Sequence, residues 1–101
     1  MNNLKLAIEA ALRAGKSIME IYNSNDFEVK LKSDQSPLTL ADIESHNIIS
    51  QYLNKTKIPI LSEEGKNIPY SKRKNWNKLW VIDPIDGTKE FIKKNGEFTV
   101  N

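Results

Sequence analysis

The sequence predicts a fold of mixed α and β structure, and three observations predict it. Apolar residues recur at three- and four-residue spacing from about Asn3 to Asn23. Phe27, Val29 and Leu31 alternate with Glu28, Lys30 and Lys32. Leu79-Trp80-Val81-Ile82 is an unbroken apolar run. The first is the period of a helix and the second of a half-buried strand; the third fits a strand buried on both faces.

Each element follows in order. Leu4, Ala7, Ile8, Ala11, Leu12, Gly15, Ile18, Met19 and Tyr22 form the core-facing stripe expected of the first helix. Asn23-Ser24-Asn25-Asp26 is turn composition and ends it. The alternating strand comes next, then a polar loop from Lys32 to Pro37. A second helix is expected from Thr39 to about Asn54, with Ile43, Ile48, Ile49, Tyr52 and Leu53 as its apolar positions. Ile58 to Leu61 reads as a short strand, left by the turn Ser62-Glu63-Glu64-Gly65. Lys66 to Lys78 is a polar, basic surface connection. The buried strand Leu79 to Ile82 runs straight into Asp83-Pro84-Ile85-Asp86-Gly87-Thr88. Lys89 to Lys94 has the makings of a short helix, stopped by Asn95-Gly96. Glu97 to Asn101 alternates like a strand and needs an edge partner, so the ending reads as an interruption.

Composition excludes several function classes. With 101 residues the chain is one domain at most. It is 39% hydrophobic and 28% charged, too apolar for a disordered tail. Lys and Arg total 15 against 13 Asp and Glu, and a net charge of +2 gives no general grip on nucleic acid or anionic membrane. The absence of cysteine removes disulfides, zinc ribbons and thiol nucleophiles. No run approaches the ~18 apolar residues of a membrane span. Glu9 and Arg13 interrupt what a secretory signal would keep apolar, so the default location is cytoplasmic.

Asp83 and Asp86 carry the chemistry most directly. Two carboxylates three residues apart, in a turn shaped by Pro84 and Gly87, repel unless a cation lies between them. Hard oxygen ligands with no Cys or His nearby favour Mg²⁺, and the Ile85 carbonyl lies between the acids as a further ligand. Thr88 offers a hydroxyl at a helix start, where free N–H groups suit a phosphate. The competing reading is a plain turn with Thr88 as a helix cap. Glu63 and Glu64 are a second acidic pair at a strand end; alone they read as a solvated turn, and beside Asp83 and Asp86 they read as part of one site. Thr39-Leu40-Ala41-Asp42 fits a capping box, so the residues by themselves make Asp42 a cap. His46 receives no role. Lys72-Arg73-Lys74 reads as a solvated stretch able at most to draw an anionic substrate, and Trp76 and Trp80 as packing residues.

Together these pieces resemble the inositol monophosphatase superfamily of metal-dependent, lithium-sensitive phosphatases. The resemblance is carried by Ile60-Leu61-Ser62-Glu63-Glu64 and by Trp80-Val81-Ile82-Asp83-Pro84-Ile85-Asp86-Gly87-Thr88. Lys89-Glu90-Phe91-Ile92, Asn95-Gly96-Glu97-Phe98-Thr99-Val100-Asn101 and Ser36-Pro37-Leu38-Thr39-Leu40-Ala41-Asp42 are similar to its 3'(2'),5'-bisphosphate nucleotidase (CysQ-type) branch. The implied fold is the layered α/β sandwich of sugar phosphatases, an α+β arrangement. The implied metal ligands are Glu63, Asp83, Asp86 and the Ile85 carbonyl, holding two or more Mg²⁺. Thr88 is the implied orienter of the attacking water and Asp42 its partner, so the resemblance reverses the assignment of Asp42 as a cap. Substrate contacts are implied for Glu63, Asp86, Gly87 and Thr88, the last two through backbone. No role is carried over to Glu64. The implied reaction is hydrolysis of a nucleoside bisphosphate, 3'-phosphoadenosine 5'-phosphate, to AMP and phosphate, as in sulfate assimilation. Relatives of this kind also occur peripherally at the inner face of the plasma membrane, on which these residues are silent.

Family members run to roughly 250 residues, a single large domain. Residues 1–101 are therefore expected to be the N-terminal portion of one metal-dependent phosphatase domain. The later W-D motif, whose aspartate completes the second metal site, and the half that shapes the nucleoside pocket are not in the sequence. Two other readings stand beside this one: an inositol monophosphatase, disfavoured by Lys89-Glu90, and a non-catalytic truncated or split half that needs a C-terminal partner.

Overall fold

Leu6, Ala10, Ala14 and Ile18 are spaced four apart and are buried along one side of helix α1, Asn3–Ser24. This corrects the expected stripe. Leu4 (67% exposed), Ile8, Leu12 (69%) and Met19 lie on the open side. Ala10 and Ala14 allow a neighbouring backbone to come close, so the helix contact centres on their row, which Leu6 and Ile18 extend. Leu4, Ile8, Leu12 and Met19 fall on a flank that one neighbour does not cover. The structure is a computed structural model, and it describes residues 3–24, 29–31, 37–65 and 68–101.

The alternating segment forms a short ribbon. Strand β1, Lys30–Leu31, pairs antiparallel with β2, Pro37–Leu38, with Lys30 opposite Leu38 and Leu31 opposite Pro37. Thus Pro37, expected at the loop's end, begins a strand. Phe27, Glu28 and the loop Lys32 to Ser36 lie outside the described residues. Val29, expected on the buried side, is 51% exposed, because a two-residue ribbon shelters little.

Helix α2, Leu40–Leu53, starts at the N-cap Thr39 and packs along α1. Ile49 and Leu53 join Ala10, Ala14 and Ile82 in one core cluster. A 3₁₀ turn, Asn54–Thr56, and the left-handed Lys57 (φ 59°) reverse the chain into β3, Ile60–Ser62, later than the expected Ile58 start. Strand β4, Trp80–Ile82, lies parallel to β3 in the register Ile60 to Trp80, Leu61 to Val81 and Ser62 to Ile82. A parallel pair requires a crossover, and residues 63–79 supply it. That connection contains a short helix α3, Tyr70–Arg73, where a surface loop was expected.

Strand β4 is not buried on both faces. Ile82 is 5% exposed beneath the helices, while Val81 on the opposite face is 71% exposed. Helices α1 and α2 cover one side of the sheet, and Leu61 and Val81 line an open cleft with Ile68 and Arg73. Trp80 is half-buried, and its indole Nε1–H donates to Thr56 Oγ1 at 3.1 Å.

Helix α4 spans Thr88–Lys93, one residue earlier at each end than expected, and stops at the left-handed Lys94 and Gly96. The closing segment finds its partner in the preceding turn. Asp86 and Thr99 exchange backbone hydrogen bonds of 2.8 and 3.0 Å, and Asp83 and Asn101 exchange bonds of 2.6 and 3.0 Å. Tyr22, Phe91 and Phe98 bring their ring centroids within 5.1–5.3 Å of each other, which ties α4 and this segment to α1. Among the described residues, no helix is long and apolar enough to cross a membrane.

Candidate active site

Thr39 stands where the chain turns from an extended strand (φ −116°, ψ 167°) into α2, so its hydroxyl and amide both face the first turn of the helix. Asp42, three residues on, takes both. Its Oδ2 accepts from the Thr39 N–H at 2.9 Å and from the Thr39 hydroxyl at 2.6 Å. The expected capping box is therefore present. The other oxygen, Oδ1, accepts from the Thr88 hydroxyl at 2.9 Å. The cap and the partnership with Thr88 are not alternatives: a carboxylate has lone pairs enough for both. Asp42 is 1% exposed and Thr39 wholly buried, so these two are shielded from water, while Thr88 is half-buried.

The same face of α2 grips the turn between β4 and α4 a second time. Ser45, wholly buried, donates its hydroxyl to the Pro84 carbonyl at 2.9 Å. His46 reaches the other strand, its Nδ1 lying 2.8 Å from Ser62 Oγ. Burial holds the His46 imidazole below its ordinary pKa by disfavouring the charged form. Neither Ser45 nor His46 was assigned a role from sequence. Their signal was spacing: three and four residues beyond Asp42, they share its side of the helix.

Register places the acids. The Glu63 N–H donates to the Ile82 carbonyl at 3.0 Å, continuing the ladder past Ser62 and Ile82. Glu63 and Asp83 therefore follow immediately on paired positions, at adjoining ends of two parallel strands. Ile85 is buried with Phe91, Ala41 and Ile18, which anchors the middle of the turn. Asp86 is exposed and held through its backbone by Thr99. Gly87 turns the chain at φ +102°, and a Cβ there would stand 2.8 Å from the Glu97 carbonyl. The sequence position therefore requires glycine twice, for its conformation and for its bareness.

Of the residues singled out from sequence, Asp42 and Thr88 are brought into contact. Glu63 and Asp83 are brought to adjoining strand ends, with Ile85 and Asp86 in the turn that follows. As a donor set, three carboxylates and a carbonyl fit a hard cation by their chemistry. Among the described residues, no three acidic or imidazole side chains are gathered into an ion-holding cluster. The donor types suit a divalent ion, while the acids are not drawn in around one point. Beside Glu63 a cleft of about 410 Å³ extends from Ser62 to Arg73. Arg73 is tethered at its rim, with Nε donating to the Ile68 carbonyl at 3.0 Å.

Residues 2–101 match the model of the Inositol monophosphatase family. Among curated relatives, the 3'(2'),5'-bisphosphate nucleotidase CysQ of Buchnera aphidicola is 48% identical over 96 residues, 92% of this chain and 36% of that protein. The CysQ of Salmonella typhimurium is 45% identical over 101 residues, 97% of this chain and 41% of that protein. Among solved structures, CysQ from Bacteroides thetaiotaomicron superposes with a TM-score of 0.82 at 54% identity, over 98% of this chain and 36% of that one. The extragenic suppressor protein suhB from Bartonella henselae superposes with a TM-score of 0.83 at 28% identity, over 96% of this chain and 38% of that one. The chain spans about 36–41% of the length of these curated relatives and solved structures. The expected sugar-phosphatase type of α+β fold is the fold these proteins share with it.

Proposed function

The chain belongs to the inositol monophosphatase family, and we propose that it is the N-terminal portion of a single metal-dependent phosphatase domain, carrying its water-orienting pair and most of its metal ligands. The substrate class is a nucleoside 3',5'-bisphosphate, hydrolysed at the 3' position to the 5'-monophosphate and inorganic phosphate. The similarity to CysQ nucleotidases supports this choice over an inositol ester. The observation that carries the reading is the hydrogen bond from Thr88 Oγ1 to Asp42 Oδ1.

That bond sets what Thr88 can do. A hydroxyl has one proton and two lone pairs, and Thr88 has committed the proton to Asp42. Its oxygen is left to accept, which suits it to orient a water by taking one of the water's hydrogens. Asp42 cannot swing away, because Thr39 holds its other oxygen. Gly87, with no side chain, leaves the backbone at the start of α4 open to a phosphate oxygen. In the reaction the water oxygen bonds to phosphorus, the bond from phosphorus to the ribose oxygen breaks, and the leaving hydroxyl carries away a proton.

Glu63, Asp83, Asp86 and the Ile85 carbonyl would hold the divalent cations, two Mg²⁺ in this reading. Bound there, they would supply charge neutralisation and Lewis acidity to the phosphate. Little covalent work falls to the protein, because phosphoryl transfer is mostly positioning and electrostatics.

Phosphate release from 3'-phosphoadenosine 5'-phosphate, measured against inositol 1-phosphate in the full-length protein, tests the substrate. A preference for the inositol ester would overturn the nucleotidase assignment. Asp83→Asn is expected to abolish Mg²⁺-dependent turnover with the far-ultraviolet circular dichroism unchanged; retained activity removes Asp83 from the metal site.

A further inference from the structure

His46 takes no part in the mechanism above, yet it is wedged against the acidic turn from two sides. Its Nδ1 lies 2.8 Å from Ser62 Oγ. Its Cε1 closes on Gly65, where an added Cβ would stand 3.4 Å from it. The turn itself is built around Ser62. The Glu64 N–H donates to Ser62 Oγ at 3.3 Å, and the Gly65 N–H donates to the Ser62 carbonyl at 3.1 Å.

Ser62 Oγ accepts from the Glu64 amide and keeps both its own hydrogen and a second lone pair. Its bond with Nδ1 forms with either tautomer: the hydroxyl donates when the imidazole hydrogen is on Nε2 and accepts when it is on Nδ1. The hydroxyl is then held from both sides. Glu63 consequently has two fixed flanks. Before it, the strand ladder pins its amide to the Ile82 carbonyl. After it, the Glu64 amide, the Ser62 hydroxyl and His46 form a chain that ends on α2. The same helix carries Asp42 and Ser45, which hold the opposite turn.

We infer that His46 is a positioning residue for the cation site: through Ser62 it sets the Glu63-Glu64 turn in the orientation from which Glu63 ligates a divalent ion. This rests on the proposed assignment of Glu63 as a ligand. Groups that hydrogen-bond and orient metal ligands set the ion's affinity in this way, and their loss costs about 10- to 100-fold in metal affinity or activity. Without the imidazole the Ser62 hydroxyl keeps only the Glu64 amide, and the turn loses its hydrogen bond to α2.

The experiment measures Mn²⁺ affinity of the full-length protein from the electron paramagnetic resonance signal of free Mn²⁺, an ion of the same hard-oxygen preference. His46→Leu keeps the bulk and removes the ring nitrogen; it is expected to weaken Mn²⁺ by about tenfold. Ser62→Ala removes the same link from the other partner and carries the same expectation, so the test survives if His46→Leu does not fold. His46→Asn returns a polar atom near the place of Nδ1 and is expected to restore most of the affinity. Circular dichroism of the metal-free forms reports on folding. Full affinity in His46→Leu or Ser62→Ala overturns the inference while leaving the cation site standing. So does a loss in His46→Asn as large as in His46→Leu, since bulk and not the hydrogen bond would then be what matters. A full-length unsubstituted protein that takes up no Mn²⁺ overturns the cation site and this inference together.

Discussion

Asp42 and Thr88, 46 residues apart in the chain, are joined by a 2.9 Å hydrogen bond from the threonine hydroxyl to Asp42 Oδ1. Because Thr39 occupies Oδ2, the aspartate spans the start of α2 and the start of α4. Thr88→Val keeps the shape of the side chain and removes the hydroxyl. Phosphate release by the full-length protein is expected to fall about 100-fold or more, the usual weight of a group that orients or moves a proton. Thr88→Ser is expected to retain most of the rate. Equal rates for valine and threonine would remove Thr88 from the chemistry.

Ser45 ties the Pro84 carbonyl to α2 from a wholly buried position. Ser45→Ala leaves that carbonyl without its partner. The expected loss is about 1–3 kcal/mol of stability, the cost of a buried acceptor left unpaired. A shift in the urea midpoint with an unchanged slope is the signature to look for.

Gly87→Ala meets two obstacles at once. The backbone sits at φ +102°, and the new methyl would stand 2.8 Å from the Glu97 carbonyl, a main-chain atom that cannot rotate away. Destabilisation of roughly 1–3 kcal/mol is expected from the conformation, with the clash adding to it. The displacement falls on the Asp86 and Thr99 pairing, so the amide of Thr99 is expected to lose hydrogen-exchange protection.

His46 gives stability a pH dependence of known sign. Burial lowers its pKa in the folded chain, so the unfolded chain binds the proton first as pH falls. Above about pH 6.5 both states are neutral and the full contribution is present. As pH falls from there through the folded value, stability declines, and it levels off below. His46→Asn is expected to flatten that segment of the curve. Urea midpoints taken between about pH 8 and pH 5 check it, in a range above the ordinary carboxylate values.

The parts of this molecule written in local pattern were legible in the sequence. The capping box at Thr39 and Asp42, the glycine turn at Gly87 and the strand leading into Asp83 all depend on neighbours along the chain. What was not legible depends on neighbours in space. The open side of α1 holds Leu4, Ile8 and Leu12, which match a core stripe by period alone. Only the close approach of α2 to Ala10 and Ala14 reveals the buried side. Val81 is exposed for the same reason, since an apolar run does not say how many of its faces are covered. In the site, the sequence pattern makes Asp42 a cap, and the family resemblance makes it the partner of Thr88. Each reading is half of the arrangement, because sequence patterns describe one hydrogen bond at a time. Ser45 and His46 went unassigned because an isolated serine or histidine on a helix carries no local motif.

The parallel pairing of β3 with β4 also dictates where this chain tolerates insertions and deletions. Adding or removing one residue within Ile60–Ser62 or Trp80–Ile82 would carry the rest of that strand's side chains to the other face, and Glu63 would no longer end its strand beside Asp83. A change of length in the connection after Gly65 and before Trp80 alters the path between fixed ends, at a small entropic cost. Length variation among natural versions of this segment is accordingly expected in that connection, where the spacing of the two strand ends is indifferent to it.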